Sequence, residues 1–124
     1  MAIEIPGLDV NSGLDLCDGD LNIYLRILRS YVSDMRSTMD KIQNVSEQTL
    51  QDYAVSVHGI KSTSEAVGAE ELRKTAKELE KMAKSNDLAG VLAKNNDFLK
   101  YAENLIEGIE LFLEQHSAEG ESRR

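Results

Sequence analysis

The sequence predicts an all-α protein: an antiparallel up-down-up-down four-helix bundle with a short extra helix at its N-terminal end. Three observations carry this expectation. Two long segments place apolar residues at steps that alternate between four and three, the seam of a helix packed in a bundle. A single proline and no tryptophan among 124 residues, with Leu, Glu, Lys and Ala abundant, favour helix, and no alternating strand pattern competes. The connections between periodic segments are short, so successive helices must be antiparallel neighbours.

Taken in order, residues 1–8 hold the only proline and a glycine and read as an extended lead-in. Asp9 is a candidate N-cap for a short helix over 10–17, because its carboxylate can accept from the free N–H groups of the first turn. Gly13 weakens that helix, which packing must therefore hold. The next segment carries Leu21, Leu25, Leu28, Val32, Met35, Met39 and Ile42 on one seam, with Tyr24, Ile27 and Tyr31 widening it. Asp20 can cap its start and Asn44 marks its end.

Ser46 then occupies an N-cap position with Glu47 in the following turn. The third helix sets Leu50, Tyr53, Val57, Ile60, Ser64 and Val67 on one face and stops at Gly68, the residue expected just past a helix C-terminus. Glu70 and Glu71 open a fourth, shorter amphipathic helix with Leu72, Ala76, Leu79 and Met82 or Ala83. Lys81 and Lys84 lie near its C-terminal end, as the helix dipole favours. After the turn Ser85–Asp87 the last helix reads Leu88, Leu92, Asn95, Leu99, Ala102, Ile106, Ile109 and Leu113, with Val91, Phe98, Leu105 and Phe112 alongside. Asn95 is its one polar interruption. Residues 1–116 make a single domain, and 117–124 read as a polar, disordered tail.

Composition limits the function. The formal charge is −8, from 14 basic and 22 acidic residues, with Lys and Arg scattered singly among acids. That disfavours nucleic acid and an anionic membrane surface, both of which need clustered basic residues. No apolar run approaches a membrane span and no signal peptide is visible, so a soluble cytoplasmic protein is expected. The lone Cys17 cannot form an internal disulfide; it lies beside Val10, Leu14 and Leu16 and reads as a small buried hydrophobe. Two histidines and one cysteine without ligand spacing argue against a metal site, with His116 read as solvated. There is no Gly-rich phosphate loop, and His58 with Ser62 lacks the third group of a hydrolase triad. Acidic pairs such as Glu70 with Glu71 and Glu78 with Glu80 read as solvated helix faces.

The stretch that can carry chemistry is residues 58–69. At roughly 100° per residue, His58 falls on the shoulder of the third helix, with Ala54 and Glu65 nearby. Lys61 starts closer to the core edge, so its stem should follow apolar surface while its ammonium snorkels outward. Gly59 inside a helix costs on the order of 1 kcal/mol against alanine, which hints at a need for a missing side chain. By geometry alone, a histidine on a helix shoulder is more often a solvated polar group than a functional one.

The pattern His58-x-x-Lys61, followed by small hydroxyl residues and then by Val67, Gly68 and Ala69, resembles the signature of histidine-containing phosphotransfer (HPt) domains. The opening Ile5 to Asp9, then Gly13 and Leu14, Gly19 to Leu21, and Tyr24, Leu25 and Leu28 also resemble that family's first segment. The resemblance covers about residues 5–113. One position departs: the family usually has glycine after the lysine, and here it is Ser62, whose side chain either crowds a docking partner or bonds a phosphoryl oxygen.

The resemblance implies a phosphorelay intermediate without kinase activity of its own. His58 would accept a phosphoryl group from a receiver-domain aspartyl phosphate and pass it to, or take it back from, another receiver, and Lys61 would stabilise the phosphoryl charge. Val55, Gly59, Ser62 and Glu65 are the candidate docking residues. The implied partners are response-regulator receiver domains or a hybrid histidine kinase, met by a monomer. No cofactor is expected, since the family's Mg²⁺ belongs to the receiver. Three alternatives stand beside this: a docking module that is never phosphorylated, using Val55, Gly59 and Ala66; a drain for receiver phosphate; and the phosphoacceptor domain of a chemotaxis-type or hybrid kinase.

Overall fold

The computed structural model describes residues 5–122, with side chains through residue 116. The expected lead-in over 1–8 is described only from Ile5, and residues 1–4 and 123–124 lie outside the described part. Five helices follow one another: α1 (Val10–Leu16), α2 (Leu21–Lys41), α3 (Leu50–Val67), α4 (Glu70–Lys84) and α5 (Leu88–Ser122). No helix among the described residues is long and apolar enough to cross a membrane.

Long-range hydrogen bonds fix the helix directions. Tyr24 of α2 donates to the Val67 carbonyl at 2.9 Å, and Tyr31, one heptad on, meets Ser64 at 2.8 Å, so α2 and α3 run antiparallel. Gln51 reaches Asn86 while His58 and Lys61 reach Glu80, which makes α3 and α4 antiparallel. Asn95 donates to the Ile42 carbonyl, and Arg36 pairs with Glu103 and Glu110, so α5 runs against α2. With α4 also packed on α5, the four long helices close a ring around one core, and α1 lies across the α2–α3 edge.

Most of the apolar seam residues read from the sequence fill that core, and Leu28, Met35, Val57, Leu72, Leu79, Val91, Ile106 and Ile109 are almost entirely buried. Leu92, expected on the seam of α5, is 51% exposed, and the neighbouring Val91 is buried instead. Buried polar groups are paired, as burial demands. Ser64 has Tyr31, and Asn95 both accepts from Tyr53 at 2.8 Å and holds the Ile42 carbonyl at 2.7 Å. Burial pushes the hydroxyls of Tyr24, Tyr31 and Tyr53 well above the usual phenol range.

Two glycines are fixed by close approach. Gly68 ends α3 at φ +87°, and a Cβ there would run into the Asp9 carbonyl, whose own amide bonds the Gly68 carbonyl at 2.8 Å. Gly13 has the ring of Tyr24 where a side chain would stand, so packing does hold the short α1.

Several boundaries differ from the sequence reading. The lead-in is a tight turn through Pro6 and Gly7, closed by the Leu8 amide on the Ile5 carbonyl. Asp9 and Asp20 cap α1 and α2 as expected, but α2 ends at Lys41, before Asn44. Ser46 does not cap α3. Thr49 is the N-cap residue, and its hydroxyl accepts from the Ser46 amide, so residues 46–49 form their own turn. At the other end α5 runs to Ser122, beyond residue 116 and into the expected polar tail. Ala118 and Glu119 are good helix formers, and only Gly120 opposes continuation. His116 is not simply solvated; its ring packs on Phe112, with centroids 4.1 Å apart.

Candidate functional site

His58 lies mid-way along α3 with its side chain 55% exposed, the shoulder position expected from the helical wheel. Its imidazole is nevertheless held. Nδ1 stands 2.7 Å from Oε2 of Glu80, which projects from the antiparallel α4. Lys61, one turn further along α3, donates to Oε1 of the same carboxylate at 2.7 Å. Lys84, one turn beyond Glu80 on α4, places its ammonium 3.0 Å from Oε2. One carboxylate therefore organises three groups from two helices.

Glu80 is only 4% exposed and so is not part of a solvated helix face, contrary to expectation. Burial by itself raises its pKa, but bonds from Lys61, Lys84 and His58 outweigh this and hold the carboxyl down at about 2. It is ionised at neutral pH and can only accept hydrogen bonds. The network therefore assigns a hydrogen to Nδ1 of His58, so that the neutral form of the ring has its lone pair on Nε2.

A signal for Glu80 does exist in the sequence. It follows Ala76 by four residues and precedes Ala83 by three, both fully buried, so it sits at the edge of the apolar face of α4. Nothing in the sequence pairs that edge with His58 until α3 and α4 are laid antiparallel. Lys61 also differs from expectation. Its side chain is 26% exposed and ends in the Glu80 pair instead of running free into water.

Val55, Gly59, Ser62, Glu65 and Ala66 are all exposed on α3, flanking His58. Val55 is a bare apolar group at 73% exposure. A Cβ added at Gly59 would meet nothing within 4 Å, so the bundle's own packing does not require glycine there. The Ser62 hydroxyl turns back to the His58 carbonyl at 3.2 Å, and Thr63 does likewise to Gly59 at 3.0 Å. Both hydroxyls are thus spent on their own helix. Among the described residues no group of three or more His, Cys, Asp or Glu is placed to hold a metal ion. Cys17 is buried, in keeping with its reading as a core hydrophobe.

The geometry is that of an exposed, carboxylate-anchored histidine on the flank of an antiparallel four-helix bundle. The Hpt domain family matches residues 26–119, most of the chain, and the protein belongs to that family, whose members carry out histidine phosphotransfer in two-component signalling. No curated protein and no solved structure matches significantly.

Proposed function

We propose that the protein is a phosphorelay intermediate in which Nε2 of His58 accepts a phosphoryl group from an aspartyl phosphate of a receiver domain and hands it to another receiver. The observation that carries this reading is the 2.7 Å contact between His58 Nδ1 and the buried, ionised Glu80. It orients the ring, fixes the proton on Nδ1 and directs the free lone pair of Nε2 to solvent.

The step balances without a dedicated base. The Nε2 lone pair attacks phosphorus, the P–O bond of the acyl phosphate breaks, and its electron pair leaves on the receiver's aspartate. The ring then carries both the Nδ1 hydrogen and the N–P bond and is formally cationic, which the Glu80 carboxylate offsets. Lys61 keeps donor capacity beyond its bond to Glu80 and supplies positive charge to the phosphoryl oxygens. The chain needs no cofactor of its own in this reading, and Mg²⁺ is brought by the receiver.

Val55, Gly59 and Ser62 supply the ground on which the receiver sits. The absence of any internal contact at Gly59 supports a clearance that serves a partner and not the fold. The test is a phosphotransfer profile against the phosphorylated receiver domains of the source organism. Wild-type protein should become labelled by at least one of them, while a folded His58→Gln variant should take no label. Equal labelling of the two would overturn the proposal.

A further inference from the structure

The charge of the molecule is unevenly divided. Helices α3 and α4 carry six Lys and Arg and six Asp and Glu, so together they are neutral, and the whole −8 resides elsewhere in the chain. Within α4 the division sharpens. At roughly 100° per residue its five basic residues fall within an arc of about 100°, in the order Arg73, Lys84, Lys77, Lys81, Lys74. Glu80 borders that arc on the side where it meets His58.

The acids of α4 do not cancel this stripe near His58. Glu80 is buried and already committed to Lys61, Lys84 and the imidazole. Glu78 lies on the opposite flank, 3.6 Å from Lys94 of α5. Glu70 and Glu71 belong to the first turn, where they pair with Arg73 and Lys74. Lys77 and Lys81 are exposed and make no ion pair among the described residues. Lys77, Lys81 and Lys84 thus share one solvent-facing arc of α4, which Glu80 borders on the side of His58, in an otherwise strongly acidic protein.

We infer that this stripe on α4 is an electrostatic docking surface for the acidic rim around the phosphorylated aspartate of the receiver, a footprint that extends from His58 onto α4. The inference rests on the phosphotransfer reading and names the kind of surface that the partner must present. Charge complementarity argues for it: the incoming acyl phosphate is anionic, sixteen of the chain's 22 carboxylate side chains but only eight of its 14 basic ones lie outside α3 and α4, and elsewhere the net charge repels such a partner. Positive charge beside the reacting atom raises the rate of productive encounter by about 10-fold or more at low salt.

The experiment measures the second-order rate constant for phosphoryl acceptance from the most reactive phosphorylated receiver in the profile above. It compares wild type, Lys77→Gln/Lys81→Gln and Lys77→Glu/Lys81→Glu at low and at about 1 M salt, where the screening length falls to about 3 Å. Wild type should slow as salt rises. The Glu pair should be at least about tenfold slower at low salt, the Gln pair intermediate, and all three should converge at high salt. Circular dichroism checks that each variant is folded, and labelling by a small phosphoramidate donor, which needs no docking surface, should be equal in all three. Equal, salt-independent receiver rates in labelled, folded proteins would overturn the docking surface while leaving His58 as the acceptor. Absence of any label in wild type would overturn the phosphotransfer reading itself.

Discussion

Glu80 accepts a hydrogen bond from Nδ1 of His58 across the α3–α4 interface, at 2.7 Å, while remaining almost fully buried. In the proposed reading the pair divides the work between helices: α3 presents the nucleophile, and α4 fixes its tautomer and balances the charge it would gain.

Glu80→Gln keeps an oxygen for the Nδ1 hydrogen but removes the charge and strands Lys61. Phosphoryl acceptance should slow on the order of tenfold to a hundredfold, the range for losing one preorganised electrostatic contact. An unchanged rate constant in stopped-flow transfer would remove Glu80 from the chemistry.

The same residue makes a stability prediction with a definite sign. Its folded pKa of about 2 lies below the ordinary 4.5, so its contribution is present above pH 4.5 and is lost as the pH falls toward 2. Wild type should therefore exceed Glu80→Gln by roughly 2–3 kcal/mol in urea titrations at pH 7, and the two should converge near pH 2. A constant difference across that window would contradict the assignment.

Lys61 and Lys84 both reach Glu80, but Lys61 is 26% exposed and Lys84 64%. Charge acts more strongly where water is excluded. Lys61→Ala should therefore slow acceptance and shorten the phosphohistidine lifetime more than Lys84→Ala does. Lifetimes followed by loss of label check the order, and the reverse order would count against Lys61 as the main phosphoryl partner.

Ser62 departs from the family's usual glycine, and its hydroxyl is turned to the His58 carbonyl. Ser62→Ala should thus leave the transfer rate within about twofold, since only a bond to its own helix is lost. A tenfold loss would mean that the hydroxyl leaves the helix to hold the phosphoryl group.

Asn95 joins Tyr53 to the Ile42 carbonyl at the end of α2. Asn95→Ala leaves two buried polar groups unsatisfied and should cost about 2–3 kcal/mol of stability in denaturant titration. Transfer per folded molecule should not change, because none of these groups touches His58.

The helices were legible because apolar periodicity is a local property: the seams of α2 and α5 appear in the sequence at almost the lengths they have in the bundle. The caps by Asp9 and Asp20 and the stop at Gly68 were legible for the same reason. Ser46 misled because a serine before an acid marks a turn as well as a cap, and only the Thr49 hydroxyl decides between them. On the site, His58 and Lys61 could be read from one helix. The spacing of Glu80 from Ala76 and Ala83 puts it at the edge of the apolar face of α4, but its partners could not be read, because only the antiparallel packing of α3 on α4 brings His58 and Lys61 to it. Asn95 looked like a flaw in a seam, and its two partners lie far away in the chain.

The most direct test of the account is to locate the transferred phosphoryl group by nitrogen and phosphorus NMR on protein labelled with ¹⁵N-histidine and charged by a phosphorylated receiver. The account predicts a single phosphoryl group per chain, on Nε2 of His58, with Nδ1 still carrying its hydrogen against Glu80. A phosphoryl group on Nδ1, on another side chain, or on none would contradict it.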